Sequence, residues 1–201
     1  MSGRWSFVSN CHHCTWLALS CVVAPEDPAA AAPDAPPIIC PLVGLFSVGM
    51  AACALGLAHA AIDEVLELAA TKTPFGTSST LANRSTTQIA VCEAMAMARS
   101  AGSLLVEEAD RMWRAVQAGE PVTAEQRGFL RIAATHATGA AAAAVDRAYG
   151  AAGSSAIFAS SPLQRCLRDV HTLAQHFFVA PPTYEMTGKV LLGVERDGFM
   201  L

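Results

Sequence analysis

Polar and apolar positions change period along this chain. Near the N-terminus they alternate: Trp5, Phe7 and Ser9 interleave with Arg4, Ser6 and Val8, the period-2 pattern of a half-buried strand. Trp16 to Val23 is a second apolar run of strand length, with Asn10 to Thr15 as the turn between them. Residues 3–23 are therefore expected to form a β-hairpin. Two strands alone are marginal, and the chain supplies no further sheet. Residues 24–37, APEDPAAAAPDAPP, lack a core face and read as a Pro/Ala linker.

From residue 41 the period becomes helical. The first helix is expected from about Leu42 to Ala70, ending at Thr73-Pro74-Phe75-Gly76, because proline cannot continue a helix and glycine allows a turn. Ser85 and Gln88 have the S-x-x-Q spacing of a capping box and predict the start of the second helix. Its stripe runs through Leu105, Ala109, Met112, Trp113 and Val116, and Gly119 and Pro121 end it. Thr123 and Gln126 form a second capping box, opening a helix through the alanine tract to about Gly150. Ser161-Pro162-Leu163-Gln164 predicts a fourth helix with Ser at the N-cap, Pro at N1 and Gln at N3, running on to just before Pro181. A short fifth helix, about Tyr184 to Leu192, closes at Gly193. The predicted architecture is mainly α: an up-and-down four-helix bundle over residues 41–201, preceded by the hairpin (1–23) and the linker (24–40).

Composition adds to this picture. The chain has 201 residues, 53% hydrophobic and 15% charged, against roughly 25% charged in ordinary domains. So much apolar surface suggests helices packed on helices and a homo-oligomer, a tetramer or a dimer of bundles. Net charge is −4 and no basic stripe occurs, so nucleic acid is not an expected partner. Cys40 to Ile62 is long enough to span a bilayer and carries no charge. However, Asp63, Glu64 and Glu67 follow at once, and no Lys or Arg flanks the N-terminal side. A buried bundle helix is the better reading of this run, and a membrane partner is not expected. Seven cysteines without a framework point to a reduced, cytoplasmic compartment.

Several residues could carry chemistry. Cys11-His12-His13-Cys14 has the wrong spacing for a closed zinc site, and no metal is expected. Arg84, just before the second helix, could hold a phosphate at a helix N-terminus or stand as a solvated arginine. Arg165 and Asp169 are spaced for an intrahelical ion pair. His171 and His176 lie in an otherwise apolar segment. His176, between Gln175 and Phe177-Phe178-Val179, suits general-base work near neutral pH, although a structural histidine fits the pattern as well.

GLAHAAIDE (56–64), the TPFG turn, Gln88 and the segment SSPLQRCLRDVHTLAQHFFVAP (160–181) resemble the C-terminal helical domain of the acyl-CoA dehydrogenase superfamily. Within it, the RDVH-then-QH pattern is most similar to the two-component flavin-dependent monooxygenases that hydroxylate phenols. Trp5-x-Phe7-x-Ser9-x-x-x-His13-x-x-Trp16 resembles a strand of the family's middle β-domain, with Ser9-Asn10 where Ser-Gly is usual. The resemblance implies a flavin cofactor, FAD or FMN, and a tetrameric assembly. It also implies a separate flavin reductase and a small aromatic substrate. Ser9 would sit near the flavin ring, with Arg84 and Gln164 as further flavin or interface contacts. Dehydrogenases of this superfamily use a glutamate base, yet no carboxylate lies between Asp169 and Glu185 or in residues 42–49. His176 falls near the missing glutamate's place, where the resemblance makes it the base that deprotonates a phenol. Three readings stay open: a flavin monooxygenase, an acyl-CoA dehydrogenase relative whose base is moved or lost, and a non-catalytic bundle that only oligomerises.

Overall fold

The computed structural model describes residues 42–194; the expected hairpin and linker, with Ser9 and the Cys11–Cys14 cluster, lie outside the described residues. Five helices follow in order: α1 Leu42–Thr71, α2 Ser85–Gln117, α3 Ala124–Ala152, α4 Pro162–Ala174 and α5 Pro182–Leu191. No strand occurs among the described residues. Helix α3 is the central element and touches each of the other four. Helix α1 also packs on α2 and α4, while among the described helices α5 packs on α3.

The core shows why alanine is so abundant. Ala54, Ala58 and Ala61 of α1 meet Ala141, Ala144 and Val145 of α3 and Ala94 and Ala98 of α2, all essentially inaccessible to water. Each alanine removes little more than a methyl group from water, about 0.8 kcal/mol. Its contribution here is close approach, which brings backbones into dispersion contact. Larger side chains, Ile62, Val65, Leu163 and Val170, fill the junction with α4. A second cluster, Ala51, Ala101, Leu105, Ala133, Ala137 and Val179, closes the other end, near the segment after α4. Where α5 crosses α3 the fit is tighter still: a methyl added at Gly128 would lie 2.8 Å from Thr187 Cγ2.

By length and hydropathy both α1 and α2 could cross a bilayer. Each buries one face in the bundle, through Ala51, Ala54, Ala58 and Val65 on α1 and Ala94, Ala98, Ala101 and Leu105 on α2. The second expected stripe holds for Leu105 and Met112, but Trp113 points outward, 59% exposed.

Helix ends follow local chemistry with three corrections. The Thr123–Gln126 capping box is complete, each side chain bonded to the other's backbone N–H. Gly119 and Gly193 take positive φ and close α2 and α5 with paired backbone bonds, Gly119 N–H to Val116 O with Glu120 N–H to Ala115 O, and Gly193 N–H to Val190 O with Val194 N–H to Lys189 O, the Schellman pattern. The expected capping box at Ser85 does not form. A short 3-10 turn, Leu81–Asn83, leads into Arg84, whose extended backbone makes it the N-cap. Ser85 is already inside the helix, and Gln88 Nε2 donates to Ala82 O instead. Ser161 is the N-cap of α4 and Pro162 its first residue, as expected, yet the Ser161 side chain makes no capping bond. Finally, α4 stops at Ala174, six residues earlier than the sequence suggested. Residues 175–180 form successive turns, with His176 N–H to Leu173 O and Val179 N–H to His176 O. Proline at 181 disfavours helical geometry in the residue before it, and the turns place Phe178 and Val179 against the bundle.

Candidate functional site

The sequence-predicted residues fall at two places. His176 lies in the turn after α4 rather than on the helix. Its ring stacks on Phe177, centroids 5.1 Å apart, and lies 5.0 Å from the Phe178 ring. Phe178 in turn stacks on Phe46 of α1, centroids 5.5 Å apart and planes 13° from parallel. Four rings thus form a continuous aromatic patch, and Phe46 and Phe177 are each half-exposed. Such offset stacks are favourable beyond their buried area.

The imidazole is held at one nitrogen. Phe178 N–H donates to His176 Nδ1 at 3.3 Å. In a neutral ring the accepting nitrogen carries no proton, so the proton resides on Nε2. Among the described residues Nε2 has no partner. His176 therefore has one nitrogen engaged by its own turn and one available to a bound molecule.

Beneath this turn lies Arg131 of α3, a residue the sequence reading passed over. It is 1% exposed. Its Nη1 donates to Ser47 Oγ at 2.6 Å and its Nη2 to Thr183 Oγ1 at 3.4 Å. The guanidinium carbon lies 6.0 Å from the Phe178 ring centroid. Burial pushes the Arg131 pKa down from its ordinary value, but a guanidinium remains charged at neutral pH. Ser47, fully buried on α1, donates toward Phe178 O at 3.0 Å and Val43 O at 2.7 Å. The signal was present in the sequence: an arginine inside the apolar run Phe129 to Ala134 needs a partner or a role.

The second place is a cavity of about 550 Å³ between the α1–α2 connection and α3. Lys72, Arg84 and Arg147 supply positive charge to its wall, and Thr86 and Thr87 come from the first turn of α2. Arg84 has no side-chain partner among the described residues, whereas Lys72 donates to Ala152 O and Arg147 pairs with Glu93. Asp146, also in the wall, is held by His171 Nε2 at 2.9 Å, so His171 serves a surface pair. Three cations and a helix N-terminus suit a phosphate ester. Neither His176 nor Gln164 lines this cavity. Gln164 is half-buried on the first turn of α4, so the structure does not bring it together with Arg84 or His176. Arg165 Nε reaches Asp169 at 3.6 Å, the expected intrahelical pair. No group of three or more metal-ligating side chains occurs among the described residues.

Known proteins share the fold and part of the sequence. Residues 48–181 match the family described as acyl-CoA dehydrogenase, C-terminal domain. An indole-3-acetate monooxygenase of Pseudomonas putida is 35% identical over 139 residues, 69% of this chain and 36% of that protein. A pigment production hydroxylase of Rhodococcus erythropolis is 30% identical over 159 residues, 79% of this chain and 40% of that protein. The solved structure of a 3-HSA hydroxylase from Rhodococcus superposes with a TM-score of 0.72 at 24% identity, covering 81% of this chain and 41% of that one. XiaF from Streptomyces, solved with FADH2 and glycerol, gives 0.71 at 22%, covering 77% and 39%. The chain spans well under half the length of these relatives. With a family match over more than half of its residues and this helical order, the chain belongs to the acyl-CoA dehydrogenase C-terminal domain family.

Proposed function

We propose that this chain forms the helical part of a flavin-dependent monooxygenase that hydroxylates a small aromatic substrate, with reduced flavin delivered by a separate reductase. The observation that carries this reading is the His176 turn. It presents an imidazole among three phenylalanine rings, in a segment without a carboxylate from 170 to 184. A dehydrogenase needs a carboxylate base at such a position; an aromatic hydroxylase needs a ring-binding surface and a group that manages a phenolic proton. The three monooxygenase and hydroxylase relatives support the same reading.

The cation-lined cavity fits a flavin nucleotide's phosphate, with Arg84 as the free donor, Lys72 and Arg147 beside it and the α2 N-terminus behind. A flavin held by the protein would supply the activated oxygen. The chain's own contribution is threefold: Arg84 binds the phosphate, Phe46 and Phe178 seat the aromatic ring, and His176 engages the substrate oxygen. Gln164 and, outside the described residues, Ser9 complete the set of flavin or interface contacts. The described cysteines, Cys53, Cys92 and Cys166, are all free, which supports a reducing cytoplasm as the site of action.

The test is to purify the protein, add reduced FAD or FMN, oxygen and a phenolic or indolic acid, and follow hydroxylated product by mass. Product formation supports the proposal. Bleaching of bound flavin by an acyl-CoA, without hydroxylation, would replace it with the dehydrogenase reading.

A further inference from the structure

Arg131 is buried in the middle of α3, and no carboxylate pairs with it among the described residues. Among the described residues its Nε has no hydrogen-bond partner. A buried, unneutralised cation is costly, so stability alone does not account for an arginine here. What the guanidinium does is join elements. One fork holds Ser47 of α1 and Thr183 of α5, and its carbon lies near the Phe178 ring.

The connection to His176 is short and consists of consecutive hydrogen bonds. Arg131 Nη1 donates to Ser47 Oγ. Accepting from a cation polarises the serine hydroxyl and strengthens its own donation, and its single proton is shared between Phe178 O at 3.0 Å and Val43 O at 2.7 Å. The N–H of Phe178 donates to His176 Nδ1. Both polar groups of the Phe178 backbone are thereby engaged, one by α1 and one by the histidine. The two groups lie in successive peptide planes joined at the Phe178 Cα, so holding the carbonyl restrains the residue whose N–H donates to Nδ1.

We propose that Arg131, acting through Ser47, is a positioning residue that fixes the His176 turn and its tautomer, so that the imidazole offers Nε2–H to the substrate oxygen. His176 then meets that oxygen as a hydrogen-bond donor, which stabilises negative charge developing on it. This deepens the function proposed above and rests on it for the identity of the substrate; the tautomer and its control by Arg131 do not depend on flavin. Lysine cannot replace arginine, since a single ammonium cannot hold Ser47 and Thr183 in the same fork.

The test is nitrogen NMR of the imidazole rings in the full chain, at a pH about two units above the ordinary histidine value of roughly 6.5. The His176→Gln variant identifies the ring. The wild type should show a protonated Nε2 and a bare, hydrogen-bonded Nδ1. Ser47→Cys, nearly isosteric but a weak hydrogen-bonding group, and Arg131→Lys should both move the two nitrogens toward the averaged shifts of free imidazole. Exchange of the Phe178 amide proton should quicken by roughly 2- to 10-fold, the range that losing one net hydrogen bond allows. His171, held by Asp146, should not change. Ser47→Cys decides the matter if Arg131→Lys does not fold. Unchanged His176 nitrogens in a folded Ser47→Cys protein, or a wild type protonated on Nδ1, would overturn the proposal. A wild type with the expected tautomer that never hydroxylates an aromatic would leave this inference standing and sink the proposed activity.

Discussion

Individual side chains decide both the chemistry and the tightest packing of this bundle. Replacing His176 by Leu roughly keeps the size of the side chain and its place in the turn but removes the imidazole and its N–H donor. Product formation should fall by about 10²-fold or more, the usual contribution of one donor aimed at a developing oxyanion, while circular dichroism and melting temperature stay close to wild type. Gly128→Ala sets overpacking against a gain of about 1 kcal/mol in helix propensity: its new methyl meets Thr187 Cγ2 at 2.8 Å, a clash that costs about 1–3 kcal/mol, so a denaturant melt should show a net loss of stability. Thr187→Ser removes that methyl, so the double variant should lose less than the sum of the two single changes. Cys166 supplies a pH test. Burial, aided by Asp169, pushes its thiol above the ordinary value of 9.0, and burial raises Tyr184 above 10.0. Both groups favour the folded state while protonated. Their contribution is complete below about pH 9 and disappears as pH rises through their raised values. Stability should therefore decline on the alkaline side, and less steeply in Cys166→Ala. Alkylation of the native protein should reach exposed Cys53 and Cys92 before Cys166.

At the scale of the helices, three Ser or Thr residues have the look of caps, and only Thr123 acts as one through its side chain. Thr123→Ala should cost about 1 kcal/mol, and Ser85→Ala and Ser161→Ala much less, measured as shifts in melting temperature. That contrast marks the limit of local sequence signals. The five helices and their order were legible because Pro74, Gly119 and Gly193 punctuate the chain and the stretches between the breaks are long apolar or alanine-rich runs. The cap at Ser85 misled because a 3-10 turn displaces the helix start to Arg84, a consequence of how Leu81 docks. The end of α4 misled because the seating of Phe178 against Phe46 is a contact between residues 132 positions apart, invisible to any window. The same holds for the site. His176 was visible as a histidine in an apolar run, whereas Phe46, Ser47 and Arg131, which hold the neighbouring Phe178, come from other helices and emerge only on folding.

For the whole molecule, what the bundle leaves uncovered matters as much as what it buries. Leu45, Phe46, Ile89, Val106 and Trp113 are exposed on α1 and α2, more apolar surface than long helices of a monomer ordinarily show. Light scattering after gel filtration should give a multiple of 20.9 kDa; a strict monomer would contradict the expected homo-oligomer. The chain matches 36–40% of the length of its curated relatives, so whether it holds flavin is the point on which its proposed activity depends. Arg84→Ala should weaken that binding at least several-fold without changing the helical spectrum, because among the described residues Arg84 is the cation of the cavity wall left without a side-chain partner. The most direct measurement is gel filtration of the purified protein after mixing with reduced flavin, reading the visible flavin band in the protein peak after reoxidation. Flavin co-eluting in saturable amounts with the folded bundle is the predicted result. A helical, folded protein that elutes free of flavin at every concentration tried would contradict the account.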